Sequence, residues 1–483
     1  MAFGKKTVFM SFIWKLLERS SVQVVSFIVT IILARLLTPD DYGSIAIVMV
    51  FVNLATVFVE GGLNTALIQK KDSDEKDFST IFLFSFAVSV IIYTILFFSA
   101  PFVARFYSKP ILQPVLRAIS VILIAFSLSS VQKAYLMKKM LFKELFYSNL
   151  GGLVLSAGVG IYMAYASYGI WALVVQQVTT AFAGVIIMWF VVNWRPMFVF
   201  SKERFAKLFN FGWKVFMTNL TISLFTDIRS LIIGRVFNAS SLAYFDRGKQ
   251  FPYLIMDNVN SSIQSVMFPV LSDTQDKLGE VKALMKRTTS VSSYVILPLL
   301  MGLLVAAKPL TLFLLTEKWI EIVPFIQIFC IANMLMPIQS VNLVAIRALG
   351  YSGVLLKLEL IKKVLEVAIL IATVFISVKA IAWGVVIYNL ICIIINLYPS
   401  KKYLGYGIKE QMQDFLPSLY LSVAMGAVIY WIQLLPISNI MILIFQFVAG
   451  FLIYWMISNM FKINSYTYIH ELAKSRISKF KQE

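Results

Sequence analysis

The sequence predicts an all-α polytopic membrane protein of about 14 transmembrane helices, and three observations support this fold class. Of the 483 residues, 59% are hydrophobic and 14% are charged, whereas a soluble domain has about 25% charged residues. The mean hydropathy is +0.83, which suits a chain that lies mostly in lipid. Apolar runs of about 20 residues, the length that crosses a hydrocarbon core, recur along the whole chain. We therefore expect a bundle of membrane helices rather than one globular core.

A helix is expected for every apolar run, because lipid offers no hydrogen-bond partners to an open backbone. Loop-forming residues interrupt the hydrophobic sequence between several runs, as at Thr38-Pro39 and Leu435-Pro436. The predicted spans cover residues 15–37, 43–60, 79–103, 114–131, 147–166, 170–192, 213–236, 250–271, 290–314, 321–345, 357–377, 380–398, 414–435 and 439–461.

An internal repeat predicts how these spans are grouped. Residues 32–37 (ILARLL) are similar to residues 232–237 (IIGRVF), and residues 169–172 (GIWA) are similar to residues 380–383 (AIAW). Six spans separate the members of each pair, so both copies would cross the membrane in the same direction and would enclose a site between them. The predicted divisions are an N-lobe (1–194, spans 1–6), a cytoplasmic interface linker (195–212), a C-lobe (213–400, spans 7–12), two additional helices (401–463) and a basic cytoplasmic tail (464–483).

The basic residues predict the orientation of the chain. With the N-terminus inside, the internal segments hold 28 Lys and Arg residues and the external connections hold nine. This bias places both termini in the cytoplasm. It also explains the net charge of +19 without nucleic acid. We expect the two cysteines, Cys330 and Cys392, to be inert thiols, because both lie in apolar spans far from the one histidine.

Residues 213–271 carry the most informative polar groups, because they fall inside two predicted spans. The seventh span contains Asp227 and Arg229, and the eighth contains Asp257 followed by a run of amide and hydroxyl side chains. A charge at that depth costs on the order of 2.5–3.5 kcal/mol on insertion scales. Such groups persist where they face a wet, protein-lined cavity. The pattern therefore predicts a polar path through the bilayer.

Two stretches of the sequence resemble a known family. They are LLERSSVQVVSFIVTIILARLLTPDDYGSIAIVMVFVNL near the N-terminus, continuing to VEGGLNTALIQKKD, and ASSLAYFDRGKQFPYLIMDNVNSSIQSVMFPVLSDTQDK around the eighth span. They resemble the polysaccharide-transport branch of the multidrug/oligosaccharidyl-lipid/polysaccharide exporter superfamily. The most similar subgroup is the Wzx-type flippases for capsule, colanic-acid or teichuronic-acid repeat units. The resemblance covers roughly residues 10–400.

The resemblance implies two lobes of six helices, alternating access, and transfer of undecaprenyl-pyrophosphate-linked oligosaccharide to the outer face of the inner membrane. It also implies cavity cations that hold the pyrophosphate. Chemistry agrees with this expectation, because a phosphate suits the forked donors of arginine and a glycan suits amides. The candidate substrate-binding residues of the cavity are Arg229, Asp227, Asp257, Arg19, Asn53, Asn219 and Gln264.

Further candidates lie toward the two mouths of the predicted path. Arg35, Arg235 and Arg247 are placed near the outer mouth. Glu60, just before Gly61-Gly62, is placed near the inner mouth as a gate, with a structural cap as the alternative. Asp227, Asp257 and Glu366 are candidates for coupling to H⁺ or Na⁺, with no other cofactor and no metal expected. Structural alternatives stay open for the charged candidates. Arg229 suits an ion pair with Asp227 or Asp257, Arg19 a pair with Glu18, and Lys362 an i,i+4 pair with Glu366, while Arg35 and Arg235 suit snorkelling helix ends.

The predicted function is that of a multi-pass flippase in the bacterial inner membrane, acting in surface polysaccharide assembly. Its expected partners are the lipid-linked oligosaccharide, membrane lipids, and the polymerase and glycosyltransferases of the same pathway. A cation-coupled antiporter for drugs or small molecules is the alternative within the superfamily. A membrane glycosyltransferase or polymerase is disfavoured, because the chain has no long outer loop and no nucleophile–His pair.

Overall fold

A computed structural model describes residues 5–468, 470–471 and 474, and within these the fold is helical. The chain folds into two compact units, Met1–Ala243 (unit 1) and Tyr244–Glu483 (unit 2). Most of the predicted basic tail lies outside the described residues. The helices of unit 1 are α1 (Lys5–Leu36), α2 (Pro39–Glu60), α3 (Leu63–Gln69), α4 (Glu75–Phe106), α5 (Leu112–Ile119), α6 (Ile122–Lys138), α7 (Phe142–Tyr165), α8 (Ile170–Val191) and α9 (Lys202–Val236).

Unit 2 contains most of α10 and all of the helices that follow it. The helices are α10 (Ala239–Asp273), α11 (Leu278–Leu314), a 3₁₀ helix (Glu317–Ile322), α12 (Val323–Asn333), α13 (Met336–Ala348), α14 (Ser352–Val374), α15 (Val378–Leu404), α16 (Ile408–Ile432) and α17 (Asn439–Met460).

Within the described residues, 11 segments are long and apolar enough to cross a bilayer, and a bent pair brings the number to 12. The pair consists of Glu317–Asn333 and Met336–Ala348, which meet at 41°. Two further predicted spans, in α10 and α14, form helices of 35 and 23 residues. Both are long enough to cross a bilayer, but their polar and charged side chains make them less apolar than the 11 segments. The polytopic helical fold is therefore confirmed, and the count of 14 spans stays a prediction.

The second span is broken between α2 and α3. Gly61 and Gly62 have φ angles of 54° and 67°, in the left-handed region that favours glycine. A Cβ added to Gly62 would lie 2.3 Å from the carbonyl oxygen of Gly212, so the backbones of α3 and α9 touch at this point. Small residues allow such close approach between membrane helices. The break therefore also holds the N-terminal part of α9 against α3.

The other end of α9 is fixed in the same way. A Cβ on Gly234 would lie 2.8 Å from a side-chain carbon of Ile47 on α2, and one on Gly43 would overlap the backbone of Ala239. Helix α9 is continuous from its N-cap, Ser201, through the predicted linker into the seventh span. By contacts it belongs with unit 1, whereas the repeat predicts a second lobe from residue 213. The division into lobes stays a prediction.

The two repeated segments occupy equivalent corners of the fold. Residues 32–37 end α1 before the N-cap Thr38, whose hydroxyl accepts a hydrogen bond from the Asp41 backbone N–H at 3.3 Å. Residues 232–237 end α9, and there the Asn238 side chain accepts from the Ser241 backbone N–H at 2.8 Å. Both corners thus join two long helices through one polar cap.

A charged cluster ties the start of α9 to the start of α4. Asp77 is fully buried and lies 2.6 Å from the Lys70 ammonium and 3.3 Å from the Arg204 guanidinium. Arg204 also pairs with Asp74, the N-cap of α4. Partial desolvation raises the pKa of the Asp74 carboxyl, but the hydrogen bonds from Arg204 and the Asp77 backbone outweigh this and lower it. The cluster therefore links the N-terminal end of α9 to the N-terminal end of α4 within unit 1.

In unit 2, a buried network of side-chain hydrogen bonds attaches α16 to the preceding helices. The Asn342 and Gln411 side chains exchange hydrogen bonds of 2.8 and 3.1 Å, and Ser400 donates to Asn342 Oδ1 at 2.7 Å. Gln411 also donates to the carbonyl of Tyr406 at 3.0 Å. All three polar side chains are at most 2% exposed. A satisfied network of this kind makes the contact specific.

Candidate substrate-transport path

The middle of α9 presents polar side chains to the outside of unit 1. Its buried residues lie toward its ends and are Leu208, Gly212, Ser230, Ile233 and Gly234. Residues 213–229 are all described, and all are partly or fully exposed. Asn219, a predicted sugar-binding residue, is exposed on this stretch. The threonine hydroxyls of the stretch donate to carbonyls of their own helix, at Thr218, Thr221 and Thr226. They need no other protein partner.

Asp227 and Arg229 lie at the end of this polar stretch and are both partly buried. The Ser223 hydroxyl donates to Asp227 Oδ2 at 3.4 Å. Both charged residues have further interaction partners in the structure. They therefore occupy one turn of α9 within the seventh span, and their roles in substrate binding or ion coupling stay predictions.

Helix α10 has two distinct faces. Met256, Ile263 and Met267, spaced by seven and four residues, are buried on one face, and Ile263 and Met267 pack into a hydrophobic core of unit 2. A flank of the helix, about a quarter turn from the buried face, exposes Asp257 and Gln264, both predicted site residues. Near them, the Asn258 and Ser262 side chains bond only to carbonyls of their own helix among the described residues. A face of this composition does not suit lipid, so it needs water or a polar ligand.

Unit 1 brings three charged residues together near the predicted inner gate. Glu60, at the end of α2, is solvent-accessible yet surrounded by protein on most sides. Lys133, on α6, is partly buried and lies close enough to Glu60 and Glu18 for their charges to interact. Among the described residues, Lys133 has no hydrogen bond or direct ion pair with either carboxylate. The group thus combines one cation with two anions at the end of the second span.

The sequence does not single out Lys133. The fourth apolar run ends two residues before this lysine, which therefore resembles the lysines of an internal loop. The adjacent Gln132 is fully buried, and neither atom of its amide has a partner among the described residues. Two polar residues next to an apolar run are the signal that could have drawn attention to this helix end.

The predicted pair of Arg19 with Glu18 does not form. Glu18 instead accepts from the Lys15 ammonium at 2.6 Å and from the Asn149 amide at 2.9 Å, because α1 packs against α7. Arg19 is exposed, and so is Asn53 on α2. Their side chains remain available to solvent or to a ligand.

The three outer-mouth candidates differ in their surroundings. Arg35 is exposed at the end of α1 and has an interaction partner. The Arg235 guanidinium lies 4.9 Å from the centre of the Phe106 ring, a cation–π contact. Next to it, burial raises the pKa of the Tyr107 hydroxyl to about 12, although the charge of Arg235 opposes this. Arg247 donates to Gln250 Oε1 at 2.7 Å on its own helix.

The predicted i,i+4 pair of Lys362 with Glu366 is wrong. Glu366, which is 6% exposed, pairs with Lys363 at 2.8 Å, and Lys362, which is 5% exposed, pairs with Glu359 at 2.5 Å. Spacings of three and four residues are both within reach on a helix, so the sequence alone could not choose between them. Two ion pairs, each with one buried member, therefore lie side by side on α14.

In chemical terms, the exposed polar stretches of α9 and α10 offer amides, carboxylates and guanidinium groups. In the described part of the chain, no group of three or more His, Cys, Asp or Glu side chains is arranged to hold a metal ion. Cys330 and Cys392 are buried free thiols. Side chains of these types can bind a polar, charged solute by hydrogen bonds and ion pairs.

These features define a class, a polytopic helical protein with polar faces on long membrane-type helices. Residues 32–324 match the model of the polysaccharide biosynthesis protein family, and the chain belongs to this family. It is 22% identical over 435 residues to the teichuronic acid biosynthesis protein TuaB of Bacillus subtilis (strain 168), covering 87% of this chain and 88% of TuaB. The predicted resemblance to the polysaccharide-transport branch is thus confirmed.

A second relative matches most of the chain, and a solved structure has a similar fold. The succinoglycan biosynthesis transport protein ExoT of Rhizobium meliloti (strain 1021) is 22% identical over 423 residues, covering 86% of this chain and 83% of ExoT. The fold is similar to the lipid II flippase MurJ in an inward closed conformation, with a TM-score of 0.73 and 16% identity. That match covers 93% of this chain and 98% of MurJ. The likeness to MurJ concerns the fold alone.

Proposed function

We propose that the protein is a flippase that moves undecaprenyl-pyrophosphate-linked oligosaccharide repeat units across the bacterial inner membrane by alternating access. One observation supports this most directly. Two long helices expose polar side chains midway along their length, Asn219 on α9 and Asp257 and Gln264 on α10. A hydrated path for a charged, sugar-bearing headgroup explains those exposed groups, while the polyprenyl tail can stay in lipid.

Family membership supports the same proposal, because relatives in this family are named for polysaccharide biosynthesis and transport. In this proposal Arg229 and Arg19 bind the pyrophosphate, and Asn53, Asn219 and Gln264 bind the glycan. Glu60 gates the inner mouth, and Asp227, Asp257 or Glu366 takes up the H⁺ or Na⁺ that drives the cycle. The chain crosses the membrane 14 times with both termini in the cytoplasm, and it acts with the polymerase and glycosyltransferases of its pathway.

A complementation experiment tests the proposal. A strain that lacks the gene should accumulate lipid-linked repeat units on the cytoplasmic face and lose surface polysaccharide, and the wild-type gene should restore both. Arg229→Ala should reduce export by at least about ten-fold, since one charge-assisted hydrogen bond to phosphate is lost at a partly buried site. Export is measured by extracting lipid-linked sugars and by quantifying polysaccharide at the cell surface.

Lys207→Ala is the matched control, because Lys207 pairs with Glu203 on the exposed start of α9, away from the polar stretch. Cells with the Lys207→Ala variant should export as much polysaccharide as wild-type cells when the two proteins are equally abundant in the membrane. Full complementation by Arg229→Ala would remove Arg229 from the substrate path. Absence of any lipid-linked intermediate in the deletion strain would contradict the flippase proposal itself.

A further inference from the structure

Two adjoining cavities lie on unit 2, and neither contains a predicted site residue. The first, of about 550 Å³, is formed where α16 begins and α17 ends. Its lining mixes apolar residues with polar ones, and the polar ones include Ser290, Asp414, Ser418, Lys462 and Asn464. It therefore offers hydrogen-bonding groups together with one charge of each sign.

Neither charge in this cavity forms a direct ion pair among the described residues, although the charge of Lys286 acts on Asp414. Asp414 is partly buried and accepts one hydrogen bond among the described residues, at 2.7 Å from the Tyr406 hydroxyl. Lys462 is exposed and has no hydrogen bond or ion pair from its ammonium group in that part of the chain. By contrast, the neighbouring Glu410 is already paired with Lys282 at 2.8 Å and Lys286 at 3.2 Å.

The second cavity is an apolar groove of about 530 Å³ along α11, α16 and α17. Leu299, Phe447 and Phe451 line it and are 47%, 75% and 67% exposed. The two cavities follow one another along the same helices. Ala424 lines the first and Met425 the second, while Ile457 and Tyr454 stand one turn apart on α17. A polar end and an apolar groove thus form one track.

We propose that this track binds a membrane phospholipid with a zwitterionic headgroup that carries a primary ammonium, as in phosphatidylethanolamine. Asp414 accepts hydrogen bonds from the ammonium, Lys462 neutralises the phosphodiester, and an acyl chain lies in the groove. The inference goes beyond the transported substrate, because the lipid is a resident ligand on α11, α16 and α17.

Charge complementarity distinguishes this lipid from the other occupants. A purely anionic headgroup or a polyprenyl pyrophosphate would place negative charge beside the carboxylate of Asp414, which is unfavourable at a partly buried site. A trimethylated ammonium carries the same charge as the primary one but has no N–H to donate. The cavity therefore selects a primary ammonium together with one phosphate.

Lipid add-back to the delipidated full-length protein, read by native mass spectrometry, tests the proposal. The probes are phosphatidylethanolamine, phosphatidylcholine and phosphatidylglycerol with identical acyl chains, and a polyprenyl phosphate as competitor. Phosphatidylethanolamine should bind most tightly. Asp414→Asn should weaken its binding roughly ten-fold, as expected for a charge-assisted hydrogen bond. The same variant should leave phosphatidylglycerol unchanged or bound more tightly.

Two further variants keep the test independent of folding. Asparagine can still accept from Tyr406, so thermal unfolding of Asp414→Asn should match the wild type. Gly450→Leu places a side chain in the groove and should weaken all three lipids alike, whereas the surface control Lys409→Gln should weaken none. Equal binding of phosphatidylethanolamine by Asp414→Asn and wild type would overturn the proposal. So would preference for phosphatidylglycerol, or displacement of phosphatidylethanolamine by an equimolar amount of the polyprenyl phosphate.

Discussion

At the scale of single residues, Lys133 shows how a charge is kept at the edge of an apolar helix. It stands near Glu18 and Glu60 without a direct ion pair to either one. A cation between two carboxylates reduces their mutual repulsion, so its removal leaves two like charges in a protein-lined region. Its contribution is moderate, because Glu60 remains accessible to solvent.

We expect Lys133→Met to lower the thermal stability of unit 1, and Glu60→Gln in the same chain to restore part of the loss. The coupling energy between the two positions should be on the order of 1 kcal/mol, as for neighbouring charges that are partly screened. Melting of the purified protein in detergent, followed for both single variants and the double variant, measures it. Strictly additive effects would show that Lys133 and Glu60 do not interact.

Residue-level pairing was also where prediction from sequence was weakest. The charged residues of α14 were recognised, but their partners were not, because spacings of three and four residues compete on one helix face. Glu18 likewise pairs with Lys15 and Asn149, and the second of these lies 131 positions away in the chain. Long-range partners depend on packing between helices, which one sequence does not display.

At the scale of elements, the crossing of α3 and α9 depends on glycine. Gly62 has a positive φ angle and its α-carbon lies against the backbone of Gly212. Any side chain there meets both conformational strain and a backbone clash that no rotamer change relieves.

Gly62→Ala should therefore reduce the yield of folded protein severely, with an expected loss of more than about 2 kcal/mol. Gly158→Ala is the matched control, since Gly158 lies inside α7 with open space where a Cβ would be. Alanine there should be neutral or stabilising by about 0.5–1 kcal/mol. Fluorescence-detected size exclusion and melting of both variants supply the comparison. Equal behaviour of the two would mean that α3 and α9 do not pack as described.

Most elements could be predicted because apolar runs of the right length have one solution in lipid. The interruption at Gly61-Gly62 also has a visible cause. The break between α5 and α6, at Ser120-Val121, has neither glycine nor proline, so the fourth span was predicted as one run. Similarly, the predicted interface linker merged with the seventh span because nothing between Ser201 and Trp213 ends a helix.

At the scale of the whole molecule, the bias of basic residues leads to a testable topology. In a chain whose two native cysteines are replaced, a cysteine at Lys109 should react with a membrane-impermeant maleimide in intact cells. A cysteine at Asp72 should react only after the membrane is permeabilised, because it lies on the side rich in lysine and arginine. Labelling of both positions in intact cells, or of neither, would contradict the proposed orientation.

The candidate site could be predicted only as a set of residue types at membrane depth. The exposed faces of α9 and α10 agree with that expectation, since polar groups in the middle of an apolar chain need water or a ligand. Which of these groups contacts a substrate depends on their positions in three dimensions. A short internal repeat in the sequence does not determine those positions. Lys133 and Asp414 were passed over because each stands at the border of an apolar run.

The hydrogen-bond network of Asn342, Ser400 and Gln411 has a consequence for the minimal length of the protein. A version shortened to its first twelve predicted spans would lose Gln411, and with it both hydrogen bonds that this residue exchanges with the Asn342 side chain. An orphaned amide costs about 1–3 kcal/mol. The last two helices are thus not freely detachable, and a designer who wished to remove them would first have to replace Asn342 and Ser400 with apolar residues of similar shape.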